Sequence, residues 1–86
     1  MLVYIPSPLR SYTKNAAKVT ATGGTLDQVL RQLDSTFPGI RFRIITEQDS
    51  VRKHIKIFVN EEQTEDLSTP VHTDDRIHIV CALSGG

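Results

Sequence analysis

Apolar residues recur along this chain in two rhythms, and the rhythms divide it into elements. Leu2 to Ile5 is a short apolar run stopped by Pro6 and Pro8. It reads as a buried first strand, because proline cannot donate to a sheet ladder and so marks where one ends. Ser7 to Asn15 is polar with Leu9 as its apolar anchor, and reads as a loop or wide turn. Lys18-Val19-Thr20-Ala21-Thr22 alternates and is rich in β-branched residues, which predicts a second strand ended by Gly23-Gly24. The period then lengthens. Leu26, Val29, Leu30, Leu33 and Phe37 fall on one face at helical spacing, with Arg31, Gln32, Asp34 and Ser35 filling the other side. Thr25 and Gln28 are spaced as a capping box, Asp27 adds negative charge to the first turn, and Pro38-Gly39 stops the segment. One amphipathic helix over about residues 25–37 is expected.

The second half returns to shorter periods. Ile40, Phe42, Ile44 and Ile45 are apolar but Arg41 and Arg43 interrupt them, so residues 40–53 read as either a short strand or a partly packed loop. Ile55-Lys56-Ile57-Phe58-Val59 is a strand with Ile55, Ile57 and Val59 on one face and Lys56 and Phe58 on the other. Asn60-Glu61-Glu62 forms a turn, Gln63 to Leu67 a short return strand, and Thr73-Asp74-Asp75 another turn. Arg76-Ile77-His78-Ile79-Val80-Cys81 is the last strand, with Ile77 and Ile79 facing the core. A hairpin, a helix and two or three further strands predict a two-layer α+β domain. The first and last strands are expected to pair in parallel at the sheet centre, with the helix in the crossover.

Composition narrows what such a domain can do. Eighty-six residues make one small domain with a thin core and no room for a deep catalytic cleft. Ten basic residues balance ten acidic ones and tryptophan is absent, so neither a nucleic acid nor an acidic membrane is an expected partner. The single cysteine excludes an internal disulfide and any Cys-x-x-Cys metal site, and suits a reducing compartment. The opening Met1-Leu2-Val3-Tyr4-Ile5-Pro6 does not look like a signal peptide, and no apolar stretch approaches the ~18 residues of a membrane span. A soluble, cytoplasmic protein is expected.

Candidate chemistry inside the domain is sparse. Gly23-Gly24 opens a helix, but matches neither phosphate-binding glycine pattern and is explained by a strand-to-helix turn. His54, His72 and His78 lack the spacing of a metal or acid–base site, and read as surface histidines. Cys81 has no basic neighbour in sequence to activate it, and reads as structural. The pairs Glu61-Glu62 and Asp74-Asp75 lie in turns, where adjacent side chains point apart. No metal site is expected.

The ending is different. A strand runs into Cys81-Ala82-Leu83-Ser84-Gly85-Gly86 with no polar fade-out. Glycine has no Cβ, so two of them can thread a groove that a side chain would block. Four extended residues reach about 13 Å, with Leu83 as an apolar anchor. A terminal carboxyl with a pKa near ~3.5 is ionised at neutral pH and a poor acyl donor until a partner adenylates it. An inert end is the plainer reading of the same residues.

At this point the chain resembles a family. Asp75 to Gly86, with an apolar-His-apolar-Val strand followed by Leu83-Ser84-Gly85-Gly86, looks like the ending of the ubiquitin-like β-grasp sulfur carriers: the molybdopterin synthase small subunit, the thiamin sulfur carrier and the cysteine-synthesis carrier. The element order resembles theirs throughout. Ile5-Pro6-Ser7-Pro8-Leu9-Arg10 and the extra length before Ile55 look most like the cysteine-synthesis type. Two departures stand out: Cys81 where these carriers often have proline, and Ser84 where ubiquitin has arginine, the second favouring the carrier over the ubiquitin route. The resemblance implies a mixed sheet of four or five strands, a β-grasp domain over residues 1–82 and an extended tail over 83–86. It implies that the Gly86 carboxylate is adenylated by an E1-like enzyme using ATP, converted to a thiocarboxylate, and donates sulfur in a cysteine-type or molybdopterin-type pathway. The protein would then be a cosubstrate and not an enzyme, with no bound cofactor. Its partners would be that E1-like enzyme, an acceptor of the cysteine synthase or molybdopterin synthase large subunit type, and a sulfurtransferase. Leu83, Ser84 and Gly85 would bind in the partner's groove, and Phe58, His78 and Val80 on the outer sheet face would dock it. The alternative is a ubiquitin-like modifier conjugated through Gly86 to lysines.

Overall fold

The computed structural model describes residues 1–82. Five strands form one mixed sheet: β1 (Leu2–Tyr4), β2 (Lys18–Thr20), β3 (Ile55–Val59), β4 (Glu62–Thr64) and β5 (Arg76–Cys81), in the order β2-β1-β5-β3-β4. β5 is the central strand. It runs parallel to β1, with Val3 opposite Ile77, and antiparallel to β3, with Ile57 opposite Ile79. The parallel pairing of the first and last strands is therefore as the sequence predicts. Two helices, α1 (Leu26–Thr36) and α2 (Ile40–Ile44), lie in the crossover between β2 and β3.

One face of the sheet makes the core. Val3, Ile5, Ile55, Ile57, Ile77 and Ile79 are buried, and Leu26, Val29, Leu30 and Leu33 of α1 are buried with them. Alternation along each strand sends every second residue to this face, and the helical period puts the α1 leucines opposite. The Thr25 hydroxyl accepts from the Gln28 amide at 3.2 Å, as the cap spacing predicts. The Gln28 side chain reaches one residue further back than a capping box does and accepts from the Gly24 amide at 2.7 Å. The Gly24 carbonyl meanwhile accepts from the Val71 amide at 3.0 Å. The glycine pair is thus a turn whose second glycine is fully bonded to protein, with no amide left there for a phosphate.

Gly23 has a physical reason to be glycine. Its φ is +153°, and a Cβ there would lie 2.8 Å from the Val29 nitrogen and 2.9 Å from Val29 Cγ2. Gly23→Ala should therefore destabilise the fold by about 1–3 kcal/mol, outweighing the usual entropic gain of such a change. Urea unfolding measures it, and a midpoint at or above wild type would contradict the steric argument.

Three segments differ from the sequence expectation. Ser7–Thr13 is a 3-10 helix, not a loop. Proline near its start fixes the opening φ, Leu9 inserts into the core, and the buried Thr13 hydroxyl bonds the Ala16 carbonyl at 2.9 Å. Ile40–Ile44 is a short helix, neither strand nor loop. Ile40 and Ile44 are a helical step apart and both buried, so the strand-like alternation with Phe42 was misleading: Phe42 points outward. The start of α2 is held by one Asp34 carboxylate oxygen, which accepts from the amides of Gly39 at 3.1 Å and Arg41 at 3.0 Å. Asp27 pairs with Arg31 within α1 at 2.8 Å and ties α1 to α2 through Arg41 at 2.9 Å, and these guanidinium groups, Arg31 foremost, hold its carboxyl below the usual carboxylate range. The return strand is β4 at Glu62–Thr64, shorter than the 63–67 expected and shifted toward the turn. Asp66 ends it in a turn by accepting from the Ser68 amide and hydroxyl.

Candidate functional site: the strand exit and the outer sheet face

The described residues end just after β5, the central strand of the sheet. Cys81 lies opposite Ile55 at the end of the β3–β5 ladder, and the Ala82 amide donates to the His54 carbonyl at 2.7 Å. Hydrogen bonding thus continues to the last described residue. This end of β5 is held by β3 alone, because the β1 ladder stops at His78 while the β3 ladder runs on to Cys81. The four tail residues assigned from sequence, Leu83, Ser84, Gly85 and Gly86, lie outside the described residues.

Cys81 is the last inward-facing residue of β5 and packs partly against the core. Burial pushes its thiol above the ordinary range, with the positive charge of Arg43 opposing part of that push. Sequence gave no basic neighbour to Cys81; the fold supplies one, from α2. Desolvation still wins, so the thiolate fraction at neutral pH is low and the residue is a poor nucleophile. Alkylation of native protein by iodoacetamide at pH 7 should be several-fold slower than that of the unfolded chain, a ratio read by mass spectrometry. Equal rates would restore Cys81 as a reactive thiol.

The opposite face of the sheet carries the three residues assigned to docking. Phe58 and Tyr4 stand on either side of His78, opposite it in the β3–β5 and β1–β5 registers. The Tyr4 and His78 rings stack at 4.3 Å between centroids and 3° between planes. Phe58 and His78 are half-buried in this row, and Phe58 is not among the side chains packed against the core, so it does not sit beneath residues 40–53. Val80 is 41% exposed and lies opposite Lys56. The fold therefore brings Phe58, His78 and Val80 onto one surface and adds Tyr4, which sequence reasoning missed. The alternation of Leu2 and Tyr4 with the buried Val3 and Ile5 was the available signal. A flat aromatic row with an apolar neighbour is a surface that another protein can cover.

The other two histidines are exposed and apart from this row. Among the described residues, no group of three His, Cys, Asp or Glu side chains could hold a metal ion. No helix among them is long and apolar enough to cross a membrane.

Comparison with known proteins bears on the family and the fold. The ThiS family model matches residues 3–86. The sulfur carrier protein CysO of Mycobacterium tuberculosis is 32% identical over 89 residues, covering 98% of this chain and 96% of that protein. The crystal structure of the Amycolatopsis orientalis BexX/CysO complex superposes with a TM-score of 0.90 at 30% identity, over 99% of this chain and 98% of the other. Small archaeal modifier protein 1 of Haloferax volcanii (the SAMP1 crystal structure) superposes at 0.78 with 20% identity over 100% of this chain and 98% of that one, a likeness of fold alone. The sheet order, the crossover helix and these superpositions are those of a ubiquitin-like β-grasp fold of CysO type. Matched by the family model along almost its whole length, the chain belongs to the ThiS family.

Proposed function

We propose that this protein is a sulfur carrier of the CysO kind, and that the carboxyl group of Gly86 holds the sulfur as a thiocarboxylate. The observation that carries the reading is the 32% identity to a named sulfur carrier over nearly the full length of both proteins. The geometry at the strand exit supports it. A carrier must present a thin, side-chain-poor arm from a rigid base, and here Ala82 is still hydrogen-bonded where the Gly-Gly arm begins.

The chemistry needs three steps, none performed by this chain alone. A carboxylate oxygen of Gly86 attacks the α-phosphorus of ATP in an E1-like partner, forming an acyl-adenylate and releasing pyrophosphate. Sulfide attacks the carbonyl carbon, and AMP leaves with the bonding electron pair; where a sulfurtransferase persulfide is the donor instead, a thiol must reduce the acyl disulfide first formed. The thiocarboxylate sulfur then attacks an electrophile held by an acceptor enzyme, and hydrolysis of the resulting acyl bond restores the carboxylate. The protein acts in this scheme as a cosubstrate in the cytoplasm, needs no cofactor of its own, and feeds a cysteine-type pathway. Leu83, Ser84 and Gly85 thread the partner's groove while Tyr4, Phe58, His78 and Val80 dock against it.

Intact mass of the protein co-expressed with its adenylating enzyme is the test. A gain of about 16 Da, sulfur for oxygen, supports the carrier. Higher-mass conjugates lost on Gly86 deletion would support a lysine-linked modifier instead, a reading no specific observation favours: the modifier-like neighbour shares only the fold.

A further inference from the structure

The charges of this neutral chain are segregated along its central strand. β5 spans five residue steps from Arg76 to Cys81, about 17 Å. At its start stand Glu61 in the β3–β4 turn, Glu62 at the opening of β4, and Asp74 and Asp75, four carboxylates against the one exposed guanidinium of Arg76. At its far end, where the tail leaves, the side chains are basic. Arg43 lies close enough to Cys81 to act on its thiol. Arg52 shares a groove with Arg43, His54 and Phe42, Lys53 precedes His54, and Lys56 lies opposite Val80. Arg10 lines a second groove with Val80 and Cys81. Neither groove is lined by a carboxylate, and among the described residues only Arg31 and Arg41 form ion pairs.

Two apolar side chains sit at this basic collar, Phe42 on its edge toward a neighbouring groove that Asp34, Glu47 and Asp49 line together with Arg31 and Arg41. Phe42 is 54% exposed and Val80 41%, and they are the exposed large hydrophobics among the described residues. The Arg52 guanidinium lies 4.6 Å over the Phe42 ring and its Nε donates to the Phe42 carbonyl at 2.7 Å, which fixes the ring at the surface. Apolar contacts ringed by charge make a protein interface, and the charges here are spread over the 3-10 helix, α2, the loop before β3 and β3 itself, too widely to converge on one small anion.

Resting on the carrier reading, we infer that the adenylating partner meets this end with an acid-rimmed opening, its Asp and Glu side chains facing Arg43, Arg52, Lys53 and Lys56 while Phe42 and Val80 cover the lip. The outer sheet face would then hold the carrier, and the collar would orient the tail toward the opening. Such charge complementarity raises the encounter rate and fixes orientation, and salt screens it over about 8–10 Å.

Steady-state thiocarboxylation by the purified adenylating enzyme, with ATP and sulfide, tests this. Arg43→Glu, Lys53→Glu and Lys56→Glu are combined, because all three are exposed and hold no backbone hydrogen bond to another residue's carbonyl through their side chains, unlike Arg10 and Arg52. Thermal melts check that the triple variant folds. The KM for the carrier should rise about tenfold or more and lose most of its salt dependence, while Glu61→Lys with Asp74→Lys should stay within about twofold of wild type. A triple variant with unchanged KM, or an equal loss at the acidic end, would overturn the proposal. A rise in the KM for ATP alone would overturn it too, by assigning the collar to the nucleotide's phosphates. A wild-type protein that never gains sulfur would remove the carrier reading itself.

Discussion

Deleting Gly86 is expected to abolish the mass gain of about 16 Da that wild-type protein shows after co-expression with its adenylating enzyme, while leaving the thermal unfolding curve unchanged. The effect should be all-or-none, because the deletion moves the carboxylate one residue back and the adenylating site takes its geometry from the phosphates of ATP, not from the carrier. A misplacement of this kind, of about 3.3 Å per extended residue, exceeds what a near-attack geometry tolerates. Stability should not follow, since the deletion removes a glycine, which has no side chain to bury. Gly85→Val is the companion variant: it keeps chain length and carboxylate and adds only a β-branched side chain to the arm. It should cut thiocarboxylation at least tenfold if the arm threads a groove that excludes side chains. Full activity of either variant would show that sulfur is carried elsewhere.

Ile77→Ala should lower the free energy of unfolding by about 2–5 kcal/mol, out of a total of roughly 5–15 for a domain of this kind. Ile77 is 0% exposed in the central strand, between Val3 of β1 and Val59 of β3, and faces the buried side of α1. Truncation removes buried carbons from a position with rigid neighbours on both sides, so the cavity cannot collapse. Urea denaturation at constant pH measures the loss; a shift in midpoint of less than about 1 kcal/mol equivalent would mean that the core relaxes around it. The same variant bears on function, because β5 is the base of the arm. A partly unfolded fraction should reduce thiocarboxylation in proportion to its population and leave the activity of the folded fraction intact. Gly86 deletion predicts the reverse pattern, and the pair separates a damaged scaffold from a damaged tail.

Legibility varied from element to element for reasons that can be named. α1 was plain because its apolar residues keep the helical period over three turns and its cap is written in Thr25 and Gln28. β3 and β5 were plain because Ile55, Ile57, Val59 and Ile77, Ile79 alternate cleanly. α2 was hidden because five residues are too few to tell a period of 2 from one of 3.6, and Ile40, Phe42 and Ile44 satisfy alternation by accident. Its helical state depends on Asp34, which accepts from two amides at its start, and on Arg41, which bridges to Asp27 fourteen residues earlier. The 3-10 helix was hidden because a single buried leucine in a polar stretch carries no period at all. The outer face was singled out by the family resemblance, and strand parity then placed Phe58, His78 and Val80 on it. Tyr4 was missed, because its place beside His78 requires the parallel β1–β5 register.

The sequence by itself determined which residues face inward on each long element, where α1 starts and stops, and that the chain carries a Gly-Gly arm after a strand. These are local properties, set by side-chain period, capping and backbone freedom within a few residues. Only the tertiary structure decided what surrounds the start of that arm. Arg10, Arg43 and Lys56 are 46 residues apart at the extremes and become neighbours of one strand end only because β5 inserts between β1 and β3 while α2 packs beside it. A neutral composition averages such a collar away, since net charge sums over the chain while a partner meets only the charges that folding has placed on one side.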